Sequence, residues 1–170
     1  MVVAFRLHRK CRGFESLLPY HKKVYIMNKK WDKRFLELAD HISQWSKDPS
    51  TKVGCVIVRP DKTIASVGYN GFPRNVDDCE ERYNDRELKY LMVKHAEENA
   101  ADFAKESLTG YTAYVTHHPC SNCTGTLIQK GISCIVTRKP SDAFAERFKK
   151  SFEASKIMIE EANIKLIIIE

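Results

Sequence analysis

Three side chains that bind metals and one carboxylate lie in two short segments of this sequence. His95 and Glu97 are separated by one residue, and Cys120 and Cys123 follow, the first of them 25 residues after the histidine. Imidazole nitrogens and thiolate sulfurs are common zinc ligands; a structural zinc normally takes four of them, whereas a catalytic zinc keeps one position for water. Three ligands without an evident fourth therefore predict a catalytic, hydrolytic zinc site.

Glu97 is the candidate catalytic residue of this site. Zinc lowers the pKa of a bound water to about 7, and a carboxylate two residues beyond the histidine can take the proton from that water. We expect Glu97 to pass it to a ring nitrogen of the substrate and then to a departing amine. A pair such as Cys120 and Cys123 also occurs in redox motifs and as half of a structural zinc site, but His95 and Glu97 argue against both.

The ligands are expected to lie at helix starts. Cys120 and Cys123 begin a predicted helix, where free backbone N–H groups and the helix dipole favour thiolates. His95 begins the preceding predicted helix, so two neighbouring helix starts converge on one metal. His117 and His118 are expected to line the pocket or face solvent rather than bind the metal.

The elements that position these residues follow from apolar spacing. The first predicted helix has an apolar stripe and ends near Asp48-Pro49; the stripe consists of Trp31, Phe35, Leu38, Ile42 and Trp45. Next come strands at 53–59 and 63–69, a helix at 95–105, a strand at 111–116, a helix at 121–130, a strand at 132–137, a long helix from Ser141 and a strand at 164–169.

These elements predict an α/β fold in three layers. The first two strands form an antiparallel hairpin, while strand, helix and strand over 111–137 imply a parallel crossover. The charged segment 72–90 is interpreted as a solvated surface loop. The long helix is expected to bury one face, which is made of Phe144, Phe148, Phe152, Ile159 and Ala162. Cys55 and Cys134 fall in predicted strands and are expected to be core thiols. Cys79 has no partner nearby in the sequence with which it could form a second zinc site.

Charge is distributed unevenly along the chain. The formal net charge is +6, but residues 1–26 hold six basic residues against Glu15 alone, which leaves 22 basic and 21 acidic residues in 27–170. A nearly neutral domain lacks the basic surface of a polynucleotide binder, so we expect no nucleic-acid partner. Residues 27–170 are expected to form a single domain.

The segment 1–26 is expected not to belong to the natural protein. Residues 11–19 show no helical or strand periodicity and can be encoded by DNA of the kind found in transfer-RNA genes. We therefore expect translation to start at Met27; the alternative is a genuine basic tail. No secretory signal and no apolar run of roughly 20 residues is evident, and six cysteines then fit reduced thiols in the cytoplasm, of a host cell if the source is viral.

The pattern His-x-Glu followed by Pro-Cys-x-x-Cys resembles the zinc deaminases of nucleobases. More narrowly, the segments 48–54, 68–73 and 95–100 resemble those of the cytidine and deoxycytidylate deaminase family, and the resemblance extends over residues 31–170. It implies a three-layer α/β/α cytidine deaminase-like fold with a mixed five-stranded sheet. It also implies hydrolytic deamination of dCMP to dUMP with release of ammonia, which supplies dUMP for thymidylate synthesis.

The resemblance also implies substrate contacts. Asn70 should hydrogen-bond the deoxyribose, and Ala96 should offer backbone contacts to the pyrimidine edge; the alternative for Asn70 is a turn residue in left-handed geometry. The residues expected to hold the phosphate flank the loops around the sugar: Ser50, Thr51, Lys52 and Arg74. Relatives often carry a tyrosine where this chain has Arg138 and Lys139. Two added positive charges could favour a triphosphate, so dCTP as an additional or alternative substrate is a hypothesis.

Assembly and regulation are implied by the resemblance alone. Similar enzymes are commonly homohexamers that dCTP activates and dTTP inhibits, and a triphosphate effector would bring Mg²⁺. Two other functions stay open. A deaminase of bases in tRNA or single-stranded DNA would use the same zinc and glutamate but needs a basic track. A non-enzymatic zinc-binding interaction module would have no use for Glu97.

Overall fold

A computed structural model describes residues 29–169, and the expectation about residues 1–26 lies outside them. Helix α1, Lys29–Ser43, buries Phe35, Leu36 and Ile42 against the sheet. The prediction that this helix reaches Asp48-Pro49 is wrong. After Ser43 the backbone continues in tighter turns with i to i−3 hydrogen bonds, and Trp45, expected in the apolar stripe, is 52% exposed.

Five strands form one mixed sheet. They are β1 (Gly54–Val58), β2 (Ile64–Tyr69), β3 (Thr112–Val115), β4 (Cys134–Arg138) and β5 (Lys165–Ile169), in the spatial order β2-β1-β3-β4-β5. β1 is antiparallel to both of its neighbours, and β3, β4 and β5 are mutually parallel. The predicted hairpin, the parallel crossover and the mixed five-stranded sheet are confirmed.

Helices cover both faces of the sheet, which confirms the three layers. One apolar core lies between α1 and the sheet and includes Val56, Tyr114 and Cys134. The second lies on the opposite face and includes Cys55 and residues from helices α4 (Ala96–Phe103), α5 (Ser121–Gln129) and α7 (Lys149–Glu161). Cys55 and Cys134 are buried free thiols, as predicted. Within residues 29–169, no helix combines the length and apolar character that crossing a membrane requires.

The charged segment 72–90 is not a solvated loop. It contains α2 (Glu80–Asn84) and the start of α3 (Arg86–Met92). Tyr83 is buried and stacks on Phe72 with ring centroids 4.4 Å apart, and Lys89 is 6% exposed because it reaches inward to Asp48. The density of charge concealed two buried residues, and one of them, Lys89, has its partner 41 residues earlier in the chain.

The predicted long helix is interrupted. Its cap is as expected, since the Ser141 hydroxyl accepts from the Phe144 backbone N–H, but α6 (Asp142–Arg147) ends at Phe148, whose backbone (φ −108°, ψ 17°) leaves helical geometry before α7 begins. Only part of the expected buried face is buried. Ile159 is in the core. Phe144, Phe148 and Phe152 form a half-buried aromatic cluster, and Ala162 is exposed.

Candidate active site

The three predicted metal ligands converge at two helix starts. His95 precedes α4 and Cys120 precedes α5, with Cys123 in the first turn of α5. The His95 Nδ1 atom lies 3.5 Å from the Cys120 Sγ atom and 3.2 Å from the Cys123 Sγ atom, and the ligand atoms all lie within 4.8 Å of one another. A tetrahedral zinc with ordinary bond lengths separates nitrogen and sulfur ligands by about 3.6 Å. The donor set and its spacing therefore fit zinc.

Hydrogen bonds hold the two helix starts in place. The His95 backbone N–H donates to the Glu98 carboxylate at 3.1 Å, and the preceding residue, Lys94, pairs with Gly71 through two backbone bonds. On the other side, the Thr124 and Ser155 hydroxyls are hydrogen-bonded at 2.6 Å and join α5 to α7. The two helix starts are therefore braced from different parts of the fold before a metal binds.

The two sulfurs and the imidazole differ in their affinity for protons. The hydrogen bond from the Cys123 thiol, assisted by His95 and opposed by burial, lowers the pKa of Cys120 to about 4. The hydrogen bond with Cys120 raises the pKa of His95 to about 9. Cys120 is thus a thiolate stabilised by its neighbours, and a thiolate is the form that binds zinc.

Glu97 lies in the first turn of α4 with 4% of its surface exposed. Burial raises the pKa of its carboxyl to about 7, although the His95 charge and a Cys123 hydrogen bond oppose the effect. A group whose pKa is close to neutrality can both accept and release a proton, which a proton shuttle requires.

Gly68 of β2 allows helix α4, which carries Glu97, to pack closely against the strand. The sequence analysis missed this role. A Cβ atom added at Gly68 would lie 2.4 Å from both the Ala96 carbonyl oxygen and the Ala100 backbone nitrogen. Strand β2 and α4 therefore approach more closely than any side chain at position 68 would permit. The sequence signal was a glycine inside a strand pattern, which often marks such an approach.

Asn70 is 6% exposed, and its amide already has partners in the chain. Its Oδ1 accepts from the Val53 N–H at 2.8 Å, and its Nδ2 donates to the Thr51 carbonyl at 2.9 Å. Its φ is not positive, so the interpretation as a left-handed turn residue is wrong. Asn70 fastens the loop before β1 to the end of β2, and its contact with a sugar stays a prediction.

The same loop is held by a buried ion pair. The Lys89 ammonium lies 3.2 Å from the Asp48 carboxylate and donates to the Ser50 hydroxyl at 2.6 Å. Asp48 also accepts from the Ser50 hydroxyl and from the backbone N–H groups of Ser50 and Thr51. Ser50 and Thr51, two of the predicted phosphate ligands, are therefore already bound to Asp48.

Two other predicted phosphate ligands share one cleft. Lys52 and Arg138 line a cavity of about 320 Å³ together with Asp40, His117 and Lys139. Within the cleft, the Arg138 guanidinium forms an ion pair with the Asp40 carboxylate. By contrast, Arg74 is not in this group; its guanidinium lies over the Phe103 ring at 4.1 Å from the centroid.

Within residues 29–169, His117 and His118 lie outside the candidate metal group. The His117 ring is a wall of the cleft and packs on Phe144 with centroids 5.4 Å apart. The His118 ring packs on Phe152 at 4.6 Å. Burial lowers the pKa of both imidazoles, which favours their neutral form.

Comparisons with known proteins agree with this geometry. Residues 29–139 match a family model described as the cytidine and deoxycytidylate deaminase zinc-binding region. A relative from Aliivibrio fischeri, an uncharacterized deaminase in the luxG 3′ region, is 43% identical over 140 residues, which are 82% of this chain and 94% of that protein. A probable deoxycytidylate deaminase of Caenorhabditis elegans is 42% identical over 135 residues, 77% of this chain and 66% of that protein.

A solved structure shares the fold. The dCMP deaminase of cyanophage S-TIM5, in complex with dCMP and dUMP, superposes with a TM-score of 0.67 at 22% identity, over 85% of this chain and 100% of that chain. The matched segment of the family model contains His95, Glu97 and both ligand cysteines. A chain with this zinc-binding region, this fold and a buried glutamate beside the ligands belongs to the cytidine and deoxycytidylate deaminase family.

Proposed function

We propose that this protein catalyses the zinc-dependent hydrolytic deamination of dCMP to dUMP, with release of ammonia, and so supplies dUMP for thymidylate synthesis. The observation that carries the proposal is the buried Glu97 carboxyl beside His95, Cys120 and Cys123. A zinc that only joins two helices has no need of such a group. The choice of dCMP draws on the relative named as a probable deoxycytidylate deaminase and on the cyanophage enzyme in complex with dCMP and dUMP.

The residues of the chain supply proton transfer. Bound zinc contributes a Lewis acid that brings the pKa of a water to about 7. Glu97 takes a proton from the attacking water as the new bond to C4 forms, and delivers it to the ring nitrogen N3. A second transfer through Glu97 protonates the amino group, the C4–N bond breaks, ammonia leaves and a carbonyl remains at C4. Each proton that Glu97 accepts is released in the same turnover.

The nucleotide is oriented by the ends of β1, β2 and α4. Ala96, at the first helical position of α4, is the proposed backbone partner of the pyrimidine edge, and Asn70 is the proposed partner of the deoxyribose. Asn70 keeps one amide hydrogen beyond its bonds to Thr51 and Val53, so a sugar contact needs no rearrangement of the loop.

The phosphate is proposed to bind in the cleft that Lys52 and Arg138 line. Thr116 and His117 of the cleft belong to the connection that leads from β3 to Cys120. One nucleotide that binds along this connection can therefore contact both the cleft and the metal site. Ser50 and Thr51 are proposed to shape this end through their bonds to Asp48, and Arg74 stays a weaker candidate because it lies over Phe103.

The resemblance also supplies proposals about assembly and regulation. They are a cytoplasmic homohexamer that dCTP activates, with Mg²⁺ bound to the triphosphate, and that dTTP inhibits. Sedimentation of the purified protein with and without each nucleotide and Mg²⁺ measures the assembly. Turnover of dCMP in the same mixtures measures the regulation.

Turnover of four substrates tests the proposed activity. Purified protein is incubated with dCMP, dCTP, deoxycytidine and a cytosine-containing oligonucleotide, and uracil products are separated by chromatography. We expect the protein without substitutions to form dUMP. Glu97→Gln should form dUMP at least about a thousandfold more slowly, with its zinc content unchanged. Glu87→Gln, which changes an exposed glutamate of α3, is the matched control and should match the natural sequence.

Other products would select a different function. Activity on the oligonucleotide alone would indicate a deaminase of bases in tRNA or single-stranded DNA. Full zinc occupancy with no product from any substrate would favour the non-enzymatic zinc module. An undiminished rate in Glu97→Gln would show that the proposed proton shuttle is wrong.

A further inference from the structure

The cleft that Lys52 and Arg138 line has one acidic residue among its basic ones. Lys52, Arg138 and Lys139 bring three positive charges to its lining, and Asp40 brings one negative charge. Burial lowers the pKa of the His117 imidazole and favours its neutral form, although the Asp40 charge opposes the shift. The side chains of the cleft therefore carry a net charge of about +2.

The Asp40 carboxylate contacts the guanidinium of Arg138. Its Oδ2 atom contacts the Arg138 Nη2 atom, and its Oδ1 atom lies 3.4 Å from the Arg138 Nε atom. A planar guanidinium offers the same pair of N–H donors to a carboxylate and to a phosphate. Asp40 therefore occupies donors that a nucleotide phosphate would otherwise use.

The position of Asp40 is set by α1 and not by the ion pair. The neighbouring Ala39 is fully buried, and the Asp40 carbonyl accepts a hydrogen bond from the Ser43 hydroxyl at 2.7 Å. The side chains of Asp40 and Arg138 are 42% and 40% exposed. An ion pair this open to solvent adds little to folding stability, so its carboxylate is available for a role in selecting the ligand.

The charge of the ligand decides what this arrangement favours. A monophosphate carries up to about two negative charges at pH 7, which a cleft of net charge about +2 balances. A triphosphate adds roughly two more negative charges, and these would meet the Asp40 carboxylate. Sequence alone suggested that Arg138 and Lys139 favour a triphosphate; the contact with Asp40 neutralises one of those two charges.

We infer that Asp40 is the specificity-determining residue for phosphate number: it restricts the cleft to a nucleoside monophosphate and excludes the triphosphate. This inference rests on the proposed function, since it assumes that the cleft holds the substrate phosphate. It assigns dCMP as the substrate and removes dCTP as the alternative. Asp40 acts through its charge and through the donors of Arg138 that it occupies.

Asp40→Asn, which keeps shape and removes charge, is the test. The quantity measured is the ratio of kcat/KM for dCTP to kcat/KM for dCMP. We expect the natural sequence to favour dCMP and Asp40→Asn to raise the ratio by about tenfold. Asp40→Glu, which keeps the charge, should retain the low ratio. Glu37→Gln is the matched control, because it removes a carboxylate from the same helix outside the cleft.

Binding without turnover gives a second measurement. Calorimetric titration with dUMP and dUTP should show the same change in relative affinity in Asp40→Asn, and 0.5 M NaCl should reduce it. A ratio that does not change in Asp40→Asn, or a natural sequence that uses dCTP as well as dCMP, would overturn the inference. If the natural sequence deaminates neither nucleotide, the proposed function fails, while the dUMP and dUTP affinities still test Asp40. Asp40→Ser replaces Asp40→Asn if the latter does not fold.

Discussion

The candidate metal site and the cleft are assembled in different ways. The candidate ligands come from two helix starts that lie 25 residues apart in the chain, and each of them occupies a cap or a first turn. The cleft joins Asp40 of α1 to Arg138 at the end of β4, 98 residues later. The candidate metal ligands can be recognised from a short sequence motif. The cleft, by contrast, exists only after the sheet has brought α1 beside β4.

This difference separates chemistry from selectivity. The residues proposed to transfer protons and bind zinc are close in sequence, and each of them lies at a helix start or in a first helical turn. The residues proposed to select the nucleotide are half-exposed side chains from remote elements. Substitutions in the first region should abolish turnover, and substitutions in the second should change which ligand is used.

Removal of a metal ligand should have the largest effect. Cys123→Ser replaces a buried sulfur atom of the candidate metal group, and we expect loss of bound zinc, loss of detectable dUMP formation and a lower Tm, because metal binding contributes to folding stability. Zinc is measured by atomic emission and unfolding by calorimetry. Cys79→Ser, outside the metal group, is the control. One zinc per chain together with normal turnover in Cys123→Ser would contradict the assignment.

Loss of the buried ion pair should cost stability and disturb the loop shared by both regions. Lys89→Met leaves the Asp48 carboxylate without its cation, and we expect the free energy of unfolding in urea to fall by about 3–5 kcal/mol. Lys47→Met removes an exposed pair with Asp78 and should cost less than about 1 kcal/mol.

A second substitution tests the cause of that loss. Adding Asp48→Asn to Lys89→Met should recover part of the stability, because the uncompensated charge is gone. Equal losses for the two lysine variants would mean that burial of Lys89 has no special role.

A change in the cleft should alter binding more than chemistry. Arg138→Gln is expected to raise the KM for dCMP by about tenfold or more, with a smaller change in kcat and none for deoxycytidine, which has no phosphate. Arg34→Gln, on the α1 surface over Trp31, is the control. A larger rise in KM for Arg74→Gln would place the phosphate near Phe103 instead.

The smallest effect expected is a pH dependence of stability. Burial raises the pKa of Asp48, but hydrogen bonds from Ser50, Thr51 and Lys89 outweigh burial and leave it below 3.8. A carboxyl whose pKa is lower in the folded state stabilises the protein above its unfolded pKa of about 3.9. That contribution is lost as the pH falls through the folded value, below 3.8. Urea unfolding between pH 5 and pH 3 should show a weaker dependence in Asp48→Asn; identical slopes would contradict this.

Prediction from sequence succeeded where a signal repeats at short range. The hairpin, the crossover strands and the starts of the ligand-bearing helices follow from alternation and three-to-four spacing within single elements. It failed at the end of α1, at the interruption by Phe148 and in segment 72–90. In each case, contacts with a distant part of the chain or a local backbone change outweighed the pattern.

Lys89 illustrates the limit. In a segment dense with charge, a lysine is normally solvated, and nothing within several residues of Lys89 distinguishes it from its neighbours. Its burial depends on Asp48, 41 residues earlier, whose carboxylate also holds Ser50 and Thr51. Asn70 is similar, because its amide bonds to Thr51 and Val53 require that two loops first meet.

The sequence by itself predicted the family, the candidate zinc ligands and the glutamate proposed to transfer protons, because that chemistry requires particular side chains at spacings that a helix start enforces. Only the tertiary structure decided that Asp40 lies against Arg138, that Lys89 is buried on Asp48, and that Arg74 lies away from the cleft. Those contacts depend on how helices and strands pack, and packing joins residues whose separation along the chain carries no local signal.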